Sequence, residues 1–81
     1  MKSCRTESAF GSVLRKARKT RRFTQETLAF AAGLDRTYIS LLELGQRSPS
    51  LDTMLALCGA LEISLTDLAA AIEAALLSDD G

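Results

Sequence analysis

The chain predicts an all-α domain of five helices. Three observations carry that expectation: only one Pro and five Gly interrupt 81 residues, apolar side chains recur at intervals of three and four, and no alternating run of strand length occurs. Such a chain buries only about 60 to 65% of its unfolded surface and is marginal alone, so dimerisation would help it. One domain is expected over residues 6–77, with flexible tails at 1–5 and 78–81.

The first helix is expected from about Thr6 to Thr20, with Phe10, Val13, Leu14 and Ala17 at core spacing. Arg15, Lys16, Arg18 and Lys19 surround its C-terminal half, where cations suit the negative end of the helix. Thr24 caps the second helix, because its hydroxyl can accept from the free N–H groups of the first turn. Leu28, Ala29 and Ala32 face inward there, and Gly33 stops the helix as a residue free to take positive φ. Asp35 caps the third helix two residues later. Two helices joined by so short a turn cross at a large angle, which is the helix-turn-helix arrangement, here over about residues 25–44.

The third helix ends at Gly45. After a Gln46–Pro49 turn, Ser50 caps the fourth, in which Leu51, Met54, Leu55, Cys58 and Leu61 are expected to form the apolar stripe. Ser64 followed by Asp67 resembles a capping box with Asp replacing the usual Glu. It opens a fifth helix lined by Leu65, Leu68, Ile72, Ala75 and Leu76. Phe10, Leu14, Leu28, Ile39, Leu42, Leu55 and Leu61 already supply a core, so part of the last stripe is expected to stay exposed, and such stripes on small domains usually mark association.

Composition narrows the function classes. No apolar run approaches the roughly 20 residues that span a bilayer, and no apolar signal core follows Met1-Lys2-Ser3. A cytoplasmic protein is expected, without membrane contact. Cys4 and Cys58 are read as an incidental thiol and a small buried hydrophobe, and two separate cysteines without histidine argue against zinc. Missing histidine also removes the commonest general base, and no Ser or Thr has an evident activating partner. Neither catalysis nor a cofactor is expected.

The formal net charge of zero hides a strong asymmetry. All ten basic residues lie at or before Arg47 beside four acids, an excess of six positive charges, whereas the remainder holds six acids and no base. Such a division points to a polyanion partner for the first half, although two halves that attract each other would show the same pattern.

One stretch sharpens this, "LDRTYISLLELGQRSPS" over residues 34–50. At about 100° per residue, Arg36, Thr37, Ser40, Leu41 and Leu44 share one arc of the third helix. A face buried in the core would not carry the Arg, and an idle surface would not usually carry two leucines beside it. That face looks made for a partner.

The pieces "LRKARK", "TQETLAFAAGLDRTYIS", "LLELGQRSPSLDTMLALCGAL" and "ISLTDL" resemble the lambda-repressor and Cro-like helix-turn-helix family, also called the XRE family. The resemblance runs from about Phe10 to Leu68, and "GLDRTYIS" is similar to the controller proteins of restriction–modification systems. It implies a sequence-specific regulator of transcription that binds a near-palindromic operator in double-stranded DNA as a homodimer. In such domains the second helix of the motif enters the major groove while the first crosses the backbone.

Carried to matching positions, the resemblance makes Arg36 the best base reader, since a guanidinium can donate twice to guanine. Thr37 and Ser40 join it as base-contacting candidates. Gln25, Tyr38 and Arg47 are the expected backbone contacts, with phosphate binding aided by the positive helix end near Gln25. Arg18 and Glu43 match the family's buried pair. Leu68, Ile72 and Leu76 are the expected dimer contact. Two departures stand out: the family commonly has Gly where Arg22 and Glu62 stand, so both helix ends must stop differently or accept left-handed backbone. Leu41 and Leu44 replace frequent polar residues and face either thymine methyls or a protein. Two rival readings remain, a DNA-binding antitoxin and a protein-interaction module that kept the fold without specific readout. No second domain is expected for a small ligand.

Overall fold

The first helix begins earlier than its apolar pattern suggests. In the computed structural model, which describes residues 4–78, α1 spans Cys4–Thr20, α2 Gln25–Ala32, α3 Arg36–Glu43, α4 Leu51–Leu61 and α5 Leu65–Ser78. No strand occurs among the described residues. Arg5, assigned to a tail, is helical, and its Nη2 donates to Leu76 O at 2.8 Å, which ties the start of α1 to the last turns of α5. Ser78 likewise belongs to α5. The rest of both expected tails, residues 1–3 and 79–81, and the Cys4 side chain lie outside the described residues.

Local capping chemistry sets most helix ends. Thr24 Oγ1 accepts from Thr27 N–H at 3.0 Å, Ser50 Oγ from Thr53 N–H at 3.1 Å and Ser64 Oγ from Asp67 N–H at 2.9 Å. Gly33 closes α2 at φ 72°, where a Cβ would be strained. Asp35 occupies the N-cap position of α3, but contrary to expectation its side chain makes no cap bond. Arg22 and Glu62 do adopt left-handed backbone, at φ 60° and 59°. Arg22 N–H bonds back to Lys19 O and Ile63 N–H to Cys58 O, so both helices stop as a glycine would stop them, with side chains present.

α1 packs on α3 and α5, α2 on α3 and α4, and α4 on α5. Their shared core is Phe10, Leu14, Leu28, Ala29, Ile39, Leu42, Leu57, Cys58, Leu61 and Leu68. The stripe expected on α4 is rotated from the real one: Leu55 is 48% exposed and Leu51 is also outside, while Leu57 takes the core position. α4 is apolar around much of its circumference, so its own periodicity does not choose the inner face. Burial pushes the Cys58 thiol pKa up, which keeps it neutral as a small apolar group.

Gly11 sets the approach of α1 to α3. A Cβ there would lie 2.5 Å from Leu42 O and 2.6 Å from Glu43 O, closer than any side chain tolerates. No single helix among the described residues is long and apolar enough to cross a membrane.

Candidate nucleic-acid interface

The helix expected to carry recognition is α3, and a polar cluster fixes how it stands. Arg18 grips Glu43 with two parallel bonds, Nε to Oε2 at 2.6 Å and Nη2 to Oε1 at 3.0 Å. Side-chain exposure is only 10% for Arg18 and 4% for Glu43, so this is a desolvated, two-pronged ion pair whose geometry is its stability. Arg18 Nη1 also donates to Phe23 O at 2.8 Å, and Gln25 Nε2 donates to Glu43 Oε1 at 3.0 Å. One carboxylate thus joins α1, the start of α2 and the end of α3, and Arg18 ties the α1–α2 turn to them. Arg18 and Glu43 are scaffold.

With its inner side occupied by Ile39 and Leu42, α3 turns Arg36 and Thr37 to solvent and leaves Ser40 and Leu41 half-buried. Leu44, the C-cap, is 65% exposed on the same arc. The expected base-contacting residues therefore lie together on the outer face. Gln25 stands at the start of α2, yet its amide is already engaged by Glu43, with one N–H and its carbonyl remaining for another partner.

Tyr38 and Arg47 come together. The Arg47 guanidinium carbon stands 5.5 Å from the centre of the Tyr38 ring, within cation–π range. The Tyr38 hydroxyl lies 3.5 Å from Thr53 Oγ1, whose own neighbour is the Ser50 hydroxyl at 3.1 Å. This contact ties α3 to the first turn of α4. Thr53 had no signal in the sequence, because the pairing spans 15 residues between separate elements.

A second link missed by sequence reasoning joins α1 to α4. Arg21 Nη1 donates to Leu61 O at 3.0 Å and to Glu62 Oε1 at 3.1 Å, and its guanidinium carbon lies 5.3 Å from the Phe23 ring centre. Two of the arginines near the α1–α2 turn, Arg18 and Arg21, are consequently occupied within the fold.

The three residues expected at a dimer contact separate by depth. Leu68 is 2% exposed and belongs to the core of its own chain, because this turn of α5 packs over α1 and α4. Ile72 is packed against the core and Leu76 is half-buried, while Leu77, next along the helix, is 82% exposed. The charge division is visible too: the acids of α4 and α5, Asp52, Glu62, Asp67 and Glu73, are exposed.

Comparison with known proteins agrees with this geometry. The model of a helix-turn-helix family matches residues 14–68. The control protein C.MunI from a Mycoplasma species is 40% identical over 65 residues, which cover 79% of this chain and 88% of that protein. The restriction-modification controller protein C.AhdI from Aeromonas hydrophila is 45% identical with a TM-score of 0.75, over 76% of this chain and 94% of that one. The controller protein C.Esp1396I, solved as a tetramer in complex with its natural 35 base-pair operator, is 30% identical with a TM-score of 0.83, over 89% and 95%. Five helices in this order, a glycine-closed turn before an outward-facing α3, and these likenesses place the chain in the XRE-type helix-turn-helix family of DNA-binding regulators, to which its controller-protein relatives belong.

Proposed function

We propose that the protein is a sequence-specific regulator of transcription of the restriction–modification controller type, working in the cytoplasm as a homodimer on a near-palindromic operator. α3 enters the major groove, with Arg36, Thr37 and Ser40 reading bases and Gln25, Tyr38 and Arg47 holding the backbone. The observation that carries this reading is the outward face of α3, with Arg36 and Thr37 exposed while Ile39 and Leu42 hold the opposite side in the core. That C.Esp1396I is solved in complex with its natural operator supports operator DNA as the partner. Association is supported by the apolar side chains left outside on the last two helices, Leu51, Leu55 and Leu77, beside the half-buried Leu76. Ile72 and Leu76 take part in that contact, and Leu68 braces α5 from beneath.

Selection of bound sequences from random duplexes tests activity and symmetry together. The expected product has two related half-sites about one helical turn, roughly 34 Å, apart. If about six to ten phosphates are contacted, affinity falls on the order of 10³- to 10⁵-fold between about 50 and 200 mM salt. A flat salt response would favour the rival protein-interaction module, for which the exposed Leu44 is the specific observation. Arg36→Ala is expected to cost about 1 to 3 kcal/mol of binding and relax preference at one base of each half-site, whereas Arg47→Ala weakens all sequences about equally.

A further inference from the structure

Among the described residues only two carry a side chain on left-handed backbone, Arg22 and Glu62. Such backbone costs any residue with a Cβ, and an observed outlier of this kind is a reason to look for a role. At Glu62 the side chain has an internal partner, since Arg21 Nη1 donates to its Oε1 at 3.1 Å. At Arg22 no hydrogen bond, ion pair or ring contact within the described residues engages the guanidinium, and the residue is exposed.

Its surroundings give that residue a fixed base. The stretch from Arg15 to Arg22 holds six cations and no acid. Arg18 turns to Glu43 on α3, and Arg21, the immediate neighbour of Arg22, turns to the end of α4. Lys16 lines the groove between α1 and α5. Lys19 and Arg22 remain exposed beside the entry to α2, with Arg15 one turn earlier on the same flank. The turn beneath them is not loose: Arg22 N–H and Phe23 N–H bond to Lys19 O and Arg18 O, Phe23 O accepts from Arg18, and Gln25 reaches Glu43. The position of Arg22 is therefore indexed to α3 through the same carboxylate that sets the recognition helix. Glu26 is the nearest acid in sequence and stands exposed in the first turn of α2.

We infer that Arg22, flanked by Lys19, is a further phosphate-binding residue that carries the contact with duplex DNA past α3 and the start of α2. The inference rests on the DNA-binding reading above. An exposed guanidinium on a fixed turn loses little hydration and little freedom on meeting a phosphate, and can donate to two of its oxygens. Such a contact fixes register without reading sequence.

The test compares wild type, Arg22→Asn, Arg22→Lys and Lys16→Gln on the selected operator and on an unrelated duplex across a salt series. Asn tolerates left-handed backbone, so Arg22→Asn removes the charge without lowering the thermal midpoint. Its salt slope is expected to fall by about 0.9 per chain, with affinity down on the order of tenfold at about 100 mM salt and to the same degree on both duplexes. Arg22→Lys should keep most of the slope, and Lys16→Gln, on the flank facing α5, should change it little. A wild-type slope in Arg22→Asn, or an equal loss in Lys16→Gln, overturns the inference while leaving the DNA-binding reading standing. Failure of wild type to bind either duplex overturns that reading first, and the inference with it.

Discussion

The three helices that carry the outward face and the two that follow them are joined by different kinds of bond. In α1 to α3 a single carboxylate, Glu43, collects Arg18 and Gln25, and the helices stand at angles fixed by directional contacts. In α4 and α5 the contact is mostly apolar: Leu57, Cys58, Leu61 and Leu68 meet the core, and alanines fill much of the rest. Hydrogen-bonded charge pairs specify geometry, whereas apolar burial supplies stability without direction. The half whose third helix turns Arg36 and Thr37 outward is the half with the directional bonds, while exposed leucines occur in both halves, Leu44 at the end of α3 and Leu51, Leu55 and Leu77 on the last two helices.

That contrast is broken or sharpened most strongly at Glu43. Glu43→Ala leaves Arg18 buried without its partner and is expected to cost about 3 to 5 kcal/mol in denaturant unfolding. A cost below about 1 kcal/mol would mean that apolar contacts join the first three helices as they join the last two. In the other half, Leu68→Ala should cost about 2 to 4 kcal/mol through lost burial and a cavity. Leu77→Ala, on an exposed residue of the same helix, should stay within about 0.5 kcal/mol for the monomer. Equal losses at the two sites would show that the surface of α5 is covered within the chain.

The smallest effect concerns pH. Burial raises the Cys58 pKa above its ordinary value of 9.0, so the unfolded chain gives up this proton before the folded one does. The contribution is full below about pH 9 and is lost as pH rises through the folded value. Melting temperature should therefore decline above that pH in wild type, and the decline attributable to this thiol should vanish in Cys58→Ala.

What was legible in the sequence follows the range of the interaction. Thr24, Gly33, Ser50 and Ser64 were readable as helix ends because a cap is settled within a few residues. The outer arc of α3 was readable because Ile39 and Leu42 mark its inner side unambiguously. On α4, leucines stand at 51, 55, 57 and 61, and only tertiary packing decides that Leu57 turns in while Leu55 turns out. Leu68 belonged to a stripe that the sequence reading gave to a partner, and its 2% exposure comes from packing between helices that no local pattern carried. The contacts of Gln25 with Glu43, Tyr38 with Thr53 and Arg21 with Leu61 bridge separate helices, so no local pattern carried them. The positions of Arg22 and Glu62 were visible as departures, and the fold accepts the strained alternative at both.

Gly11 adds a constraint on how this surface can change over generations. Single substitutions on the outer arc of α3 alter what that helix presents, one side chain at a time, and leave the packing beneath it alone. The separation of α3 from α1 has no such freedom, because hydrogen is the smallest side chain there is and every replacement pushes against the carbonyls of Leu42 and Glu43. A lineage can therefore explore new binding preferences in small steps along one coordinate, while the tilt of the helix is reachable only by several coordinated changes.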